Sequence, residues 1–145
     1  MRYPQILVYE SDGRLAELLR REQSLENCSL REPRRMESCL RLLAGGCPSV
    51  LVLKAGRDLI REMTLLERVC SLYPAVTAVV IEESGNAALA GLAWELGAAF
   101  VLSSPYSVQE LVDIVRSFLS GAATKPASQT AALEQPILLP ERPES

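Results

Sequence analysis

Five apolar runs rich in β-branched residues punctuate the chain, at Ile6 to Glu10, Cys28 to Glu32, Ser49 to Lys54, Val76 to Glu82 and Ala99 to Leu102. Short runs of this kind, bounded by polar or turn-forming residues, predict strands. Each is followed by a stretch with helical spacing. The first carries Leu15, Leu18 and Leu19 behind the capping types Ser11 and Asp12; the second carries Met36, Cys39, Leu40 and Leu43 and stops at Gly45 and Gly46. A third is predicted from about Asp58 to Leu72, ahead of Pro74, and a fourth places Leu89, Leu92, Ala93 and Leu96 on one face before Gly97. In the fifth, Ser107 and Glu110 have capping-box spacing. Val108, Leu111, Val112, Val115, Phe118 and Leu119 then follow at helical intervals up to Gly121.

Strand and helix alternating with short connections predict parallel strands joined by right-handed crossovers, hence a doubly wound α/β sandwich with helices on both faces of the sheet. Val50 to Leu53 and Val79 to Ile81 are apolar without alternation, as central strands covered on both sides must be. In such sheets ligands and chemistry collect at the carboxyl ends of the strands, near the switch point.

A chain of 145 residues with 48% hydrophobic content can bury one substantial core, and residues 1–120 are expected to form it. Residues 121–145 contain little but Ala, Pro, Ser, Thr, Gln and Glu, a composition that buries too little surface to order itself and predicts a flexible tail. Its exception is "PILLP". There Ile137, Leu138 and Leu139 between prolines make either a preorganised extended segment for docking on a partner or an apolar piece of linker.

The formal net charge of -3 gives no general attraction to nucleic acid or to an anionic membrane, and the arginines at Arg31, Arg34 and Arg35 read as a solvated helix start. No run approaches the roughly 20 apolar residues of a membrane span, and the amino terminus lacks a signal-peptide pattern, so a cytoplasmic location is expected. Cys28, Cys39, Cys47 and Cys70 show no C-x-x-C pairing and are read as reduced and mostly buried. The chain has no histidine, which removes imidazole-based catalysis and leaves a zinc site without support.

The strand ends carry the chemistry. The chain reads "ILVYESDG" at the first, "VLVLKAG" at the third, "AVVIEES" at the fourth and "FVLSSPYS" at the fifth. With "ELGAAFVLSSPYS" in register, residues 4 to 120 resemble the receiver domain of bacterial response regulators, a flavodoxin-like (CheY-like) fold. The resemblance implies five parallel strands in the order 2-1-3-4-5 with five helices, and a cis peptide before Pro105. It also implies a functional pocket in which a receiver's paired acids fall on Glu10 and Ser11, its phosphate-accepting aspartate on Lys54, its switch Thr or Ser on Glu82, and its lysine on Ser104. Ser84 takes the switch position instead if the loop is shifted by two residues. The aromatic of the fifth strand falls on Val101, one place after Phe100.

Phosphotransfer needs a carboxylate nucleophile and a magnesium ion. Lys54 is neither a carboxylate nor a metal ligand, so the resemblance implies a degenerate pocket with no metal and no cofactor. Glu10, Lys54 and Glu82 are expected to converge, the ammonium taking over the metal's neutralising role; alternatively Lys54 extends to solvent from the strand end. The expected function is a small pseudo-receiver without an output domain, binding rather than catalysing. Its partner would be a protein, or a second copy, on the face of helix 4, strand 5 and helix 5, or on the tail. Trp94, placed away from Leu89, Leu92 and Leu96, is either an interface anchor or a ring folded over the helix edge; Phe100 and Tyr106 belong to the same face. Two alternatives stand: phosphate acceptance at Asp12 or Asp58, or a small-ligand flavodoxin-like module. The second is opposed by the single glycine and the carboxylates of "ESDGRL". A cobalamin-type module is opposed by the missing histidine.

Overall fold

The apolar runs become five parallel strands. The computed structural model describes residues 4–10, 13–22, 25 and 27–119. Along them the elements are β1 (Gln5–Tyr9), α1 (Arg14–Arg20), β2 (Ser29–Arg31), α2 (Met36–Ala44), β3 (Ser49–Ala55), α3 (Leu59–Leu72), β4 (Thr77–Glu82), α4 (Ala87–Leu96), β5 (Phe100–Ser103) and α5 (Val108–Leu119). The strands pair in parallel in the order β2-β1-β3-β4-β5, so the winding reverses between β1 and β3.

The absence of alternation in the central strands has a direct structural counterpart. Successive side chains of a strand point to opposite faces, and here both faces are covered. Leu7, Leu51, Leu53, Ala78 and Val80 pack with Cys39 and Leu43 of α2, Leu65, Leu66 and Val69 of α3 and Leu89 and Ala93 of α4. Their strand neighbours Ile6, Val8, Val50, Val52, Val79 and Ile81 pack with Leu15 and Leu19 of α1 and Leu111, Val112 and Val115 of α5. One sheet thus divides two cores, and the parity of a residue along its strand decides which it joins.

Several helix ends follow local chemistry. The α5 capping box forms, with the Ser107 amide donating to Glu110 Oε1 at 2.9 Å and the Glu110 amide to Ser107 Oγ at 3.1 Å. Asn86 caps α4 by accepting the amides of Ala88 and Leu89. Gly97 ends that helix at φ 116°, and a Cβ there would come within 2.8 Å of the Cys70 side chain, so both conformation and space require glycine. Ser11 and Asp12, expected as caps of α1, lie outside the described residues, as does the tail 121–145 with Ile137, Leu138 and Leu139.

Two expectations need correction. Leu92, assigned to the buried stripe of α4, is 41% exposed. Each helical residue turns by about 100°, which puts Leu92 about 60° from Leu89, on the margin of the face that meets the sheet. Of the four free cysteines only Cys39 is fully buried, where burial pushes its thiol up to about 12; Cys28 and Cys47, in connections, and Cys70, in α3, are half-buried.

Candidate functional site

Lys54 stands next to last in β3, and parity sets its surroundings. It continues the face of Val50 and Val52, in register with Ile81 of β4. Glu82 is in register with Ala55 and continues the opposite face, that of Ala78 and Val80. The expected meeting of Lys54 with Glu82 is therefore corrected: the two leave the sheet on opposite sides. Glu83, one residue on, takes the role. Its Oε1 lies 3.6 Å from Lys54 Nζ and its Oε2 accepts the Tyr106 hydroxyl at 3.1 Å. This bridge joins the ends of β3 and β4 to the loop after β5. Sequence reasoning missed Glu83, although strand alternation counted from Val50 and Val79 was enough to find it.

Three carboxylates instead turn inward and take up backbone amides of the loops. Glu10 accepts from Leu15 at 3.1 Å and Ala16 at 2.9 Å, and so caps α1, whose own N-cap residue Gly13 has no side chain to do so. Buried Glu62, from the first turn of α3, accepts the amides of Gly56, Arg57 and Asp58 at 2.9, 3.3 and 3.2 Å and closes the loop after β3. Glu82, 1% exposed, accepts the Ser84 amide at 2.7 Å, the Asn86 amide at 3.0 Å and the Ser84 hydroxyl, and closes the loop after β4. Burial works to raise the Glu82 carboxyl. Bonds from the Ser84 hydroxyl and the amides of Asn86, Ser84 and Gly85 outweigh it and hold the group below the ordinary 4.5.

Ser104 is exposed, its amide donating to the Glu82 carbonyl at 3.1 Å, and the Ser104–Pro105 peptide is cis. Asp58 caps α3, accepting the Arg61 amide at 3.3 Å, with Arg61 Nε 3.6 Å from its other oxygen. Trp94 is 42% exposed and meets Phe100 edge to face, ring centres 6.1 Å apart, so it both folds against β5 and shows an apolar face.

Among the described residues, the strand ends do not fit the magnesium ion of an ordinary receiver. That ion demands near-octahedral oxygen donors, whereas position 54 offers an ammonium and both Glu10 oxygens already accept α1 amides.

No family model matches the sequence, and no curated protein matches it. Solved structures do. The signal receiver domain of an HD-domain-containing protein from Pseudomonas fluorescens is similar with a TM-score of 0.70 at 26% identity, over 83% of this chain and 97% of that one. A CheY-like response regulator receiver domain protein from Methanospirillum hungatei gives 0.70 at 12% identity, over 83% and 96%. The receiver domain of NtrX from Brucella abortus gives 0.64 at 23% identity, over 79% and 98%. The fold is that of the CheY-like receiver domains of response regulators.

Proposed function

We propose that this chain is a receiver-like signalling protein that acts without phosphorylation, by presenting a folded face to a protein partner. The observation that carries the reading is Lys54. A cation stands at the end of β3, where the resemblance puts the phosphate acceptor, and it is matched by Glu83 at 3.6 Å. The Glu62 and Glu82 carboxylates support it, because they already take up loop amides beside that position that an incoming phosphoryl group would need.

Incubation with acetyl phosphate, followed by intact-mass measurement, tests the reading. The expected result is no added phosphate. A hydroxylamine-labile adduct overturns it and points to Asp12 or Asp58.

The partner face in this reading is α4, β5 and α5. Helix α4 is apolar around most of its circumference and leaves Leu92 and Trp94 exposed, with Trp94 against Phe100; Tyr106 follows β5 in the connection to α5. A surface tryptophan of this kind is a common interface anchor. The occupant is a protein or a second copy of the chain. Sedimentation of the wild type against Trp94→Ala reads out the second copy. The domain is residues 1–120, and capture by full-length protein against a version ending at Ser120 separates the folded face from Ile137, Leu138 and Leu139 in the tail. The reading assigns no catalysis, cofactor or metal to the chain and places it in the cytoplasm; no described helix is long and apolar enough to cross a membrane.

A further inference from the structure

On the α2 and α3 side of the sheet, above the carboxyl ends of β1 and β3, lies a cavity of about 260 Å³ that the reading above does not use. Three arginines line it, Arg34, Arg57 and Arg61, together with Tyr9, whose ring is almost wholly buried. Arg61 also borders a neighbouring hollow formed with Arg35, so four guanidinium groups from two loops and one helix start surround the same region.

Three carboxylates line the cavity as well, and their commitments decide its character. Glu10 is held by two α1 amides and Glu62 by three loop amides. Asp58 is held by the Arg61 amide and guanidinium. The cationic side is less satisfied. Arg34 lies 3.5 Å from Glu32, a carboxylate in closer contact with Arg20. The guanidinium of Arg57 has no ion-pair partner among the described residues. Arg61 stands close enough to the Tyr9 phenol to oppose the rise that burial imposes on it.

We propose that this cavity is a non-covalent site for a small phosphate-bearing ligand, gripped by Arg34, Arg57 and Arg61 over the Tyr9 hydroxyl. Guanidinium forks match tetrahedral oxyanions in a way that a single ammonium does not. The volume lies just below that of pockets for drug-sized molecules, about 300–1,000 Å³, and suits a small ionic group. The site sits beside the switch point between β1 and β3, where open α/β sheets place ligands. It faces away from Lys54, so the inference stands whether or not the chain accepts a covalent phosphate.

The test is titration of the full-length protein with inorganic pyrophosphate at about 0.15 M salt, where exposed charges are largely screened, followed by amide NMR shifts and calorimetry. The expected result is saturable binding with shifts centred on Arg57, Asp58 and Arg61. Arg57→Ala should weaken binding about tenfold, since one charge-assisted contact is worth that much; Arg57→Lys should fall between. Arg116→Ala on α5 should leave binding unchanged, and succinate should bind more weakly than pyrophosphate. The proposal is overturned by a titration that never saturates, by equal losses in Arg57→Ala and Arg116→Ala, or by succinate binding as tightly as pyrophosphate. None of these results bears on the acetyl phosphate assay, so the two readings fail separately.

Discussion

Glu82 and Glu83 are the same residue side by side, and the regions around them behave as opposites. Glu82 is enclosed, 1% exposed, with its oxygens filled by the turn that follows β4. Glu83, with a side chain 44% exposed, spans an open gap between Lys54 and Tyr106. Chemistry is constant between them and burial is not. A buried carboxylate that organises several donors becomes part of the fold, because its removal strands those donors. A half-exposed one remains an adjustable link, since water replaces its partners at little cost.

The largest expected effect comes from removing the enclosed partner. Glu82→Ala should lower unfolding free energy by about 3 kcal/mol in urea titration, through amides left without acceptors in a closed turn. Glu62→Ala should cost about 2 kcal/mol, because its carboxylate is less completely buried, 7% exposed against 1%.

The pH dependence sharpens the contrast. The folded Glu82 carboxyl lies below the ordinary 4.5, so the unfolded chain binds the proton more readily. Its contribution is present above that value and lost as pH falls through the lower folded value. Stability should therefore decline below about pH 4.5, and Glu82→Gln should flatten that acid limb. Thermal melts of the wild type and Glu82→Gln from about pH 3 to 7, a window around the ordinary carboxylate range, check this.

The smallest effects belong to the open bridge. Lys54→Ala and Glu83→Ala should each change stability by less than about 1 kcal/mol, and a double-mutant cycle should find a coupling of only a few tenths. A cost for Glu83→Ala equal to that of Glu82→Ala would break the comparison.

The fold was largely legible in the residues. Each strand lies within one residue of the run that predicts it, because β-branched apolar runs between polar turns have few other ways to bury themselves. The capping box of α5 was legible too, since Ser107 and Glu110 act within a single turn. The candidate site was legible only in outline. Lys54 announced itself as a cation at a strand end, but its partner was read one residue early. Glu62 went unnoticed, because an acid in the first turn of a helix looks like any solvated residue until the loop folds back over it. The arginine cavity was equally hidden, for Arg34 and Arg57 are distant in sequence and adjacent only across the strand order β2-β1-β3.

The sequence by itself determined the alternation of strands and helices, the layered architecture and the presence of a cation, Lys54, at the end of an apolar strand, since these depend on local composition and period. Only the tertiary structure decided which carboxylate meets that lysine and which ones turn inward to the loop amides. Those choices depend on register and face, which are settled when strands distant in the chain pair and a shift of one residue exchanges one side of the sheet for the other.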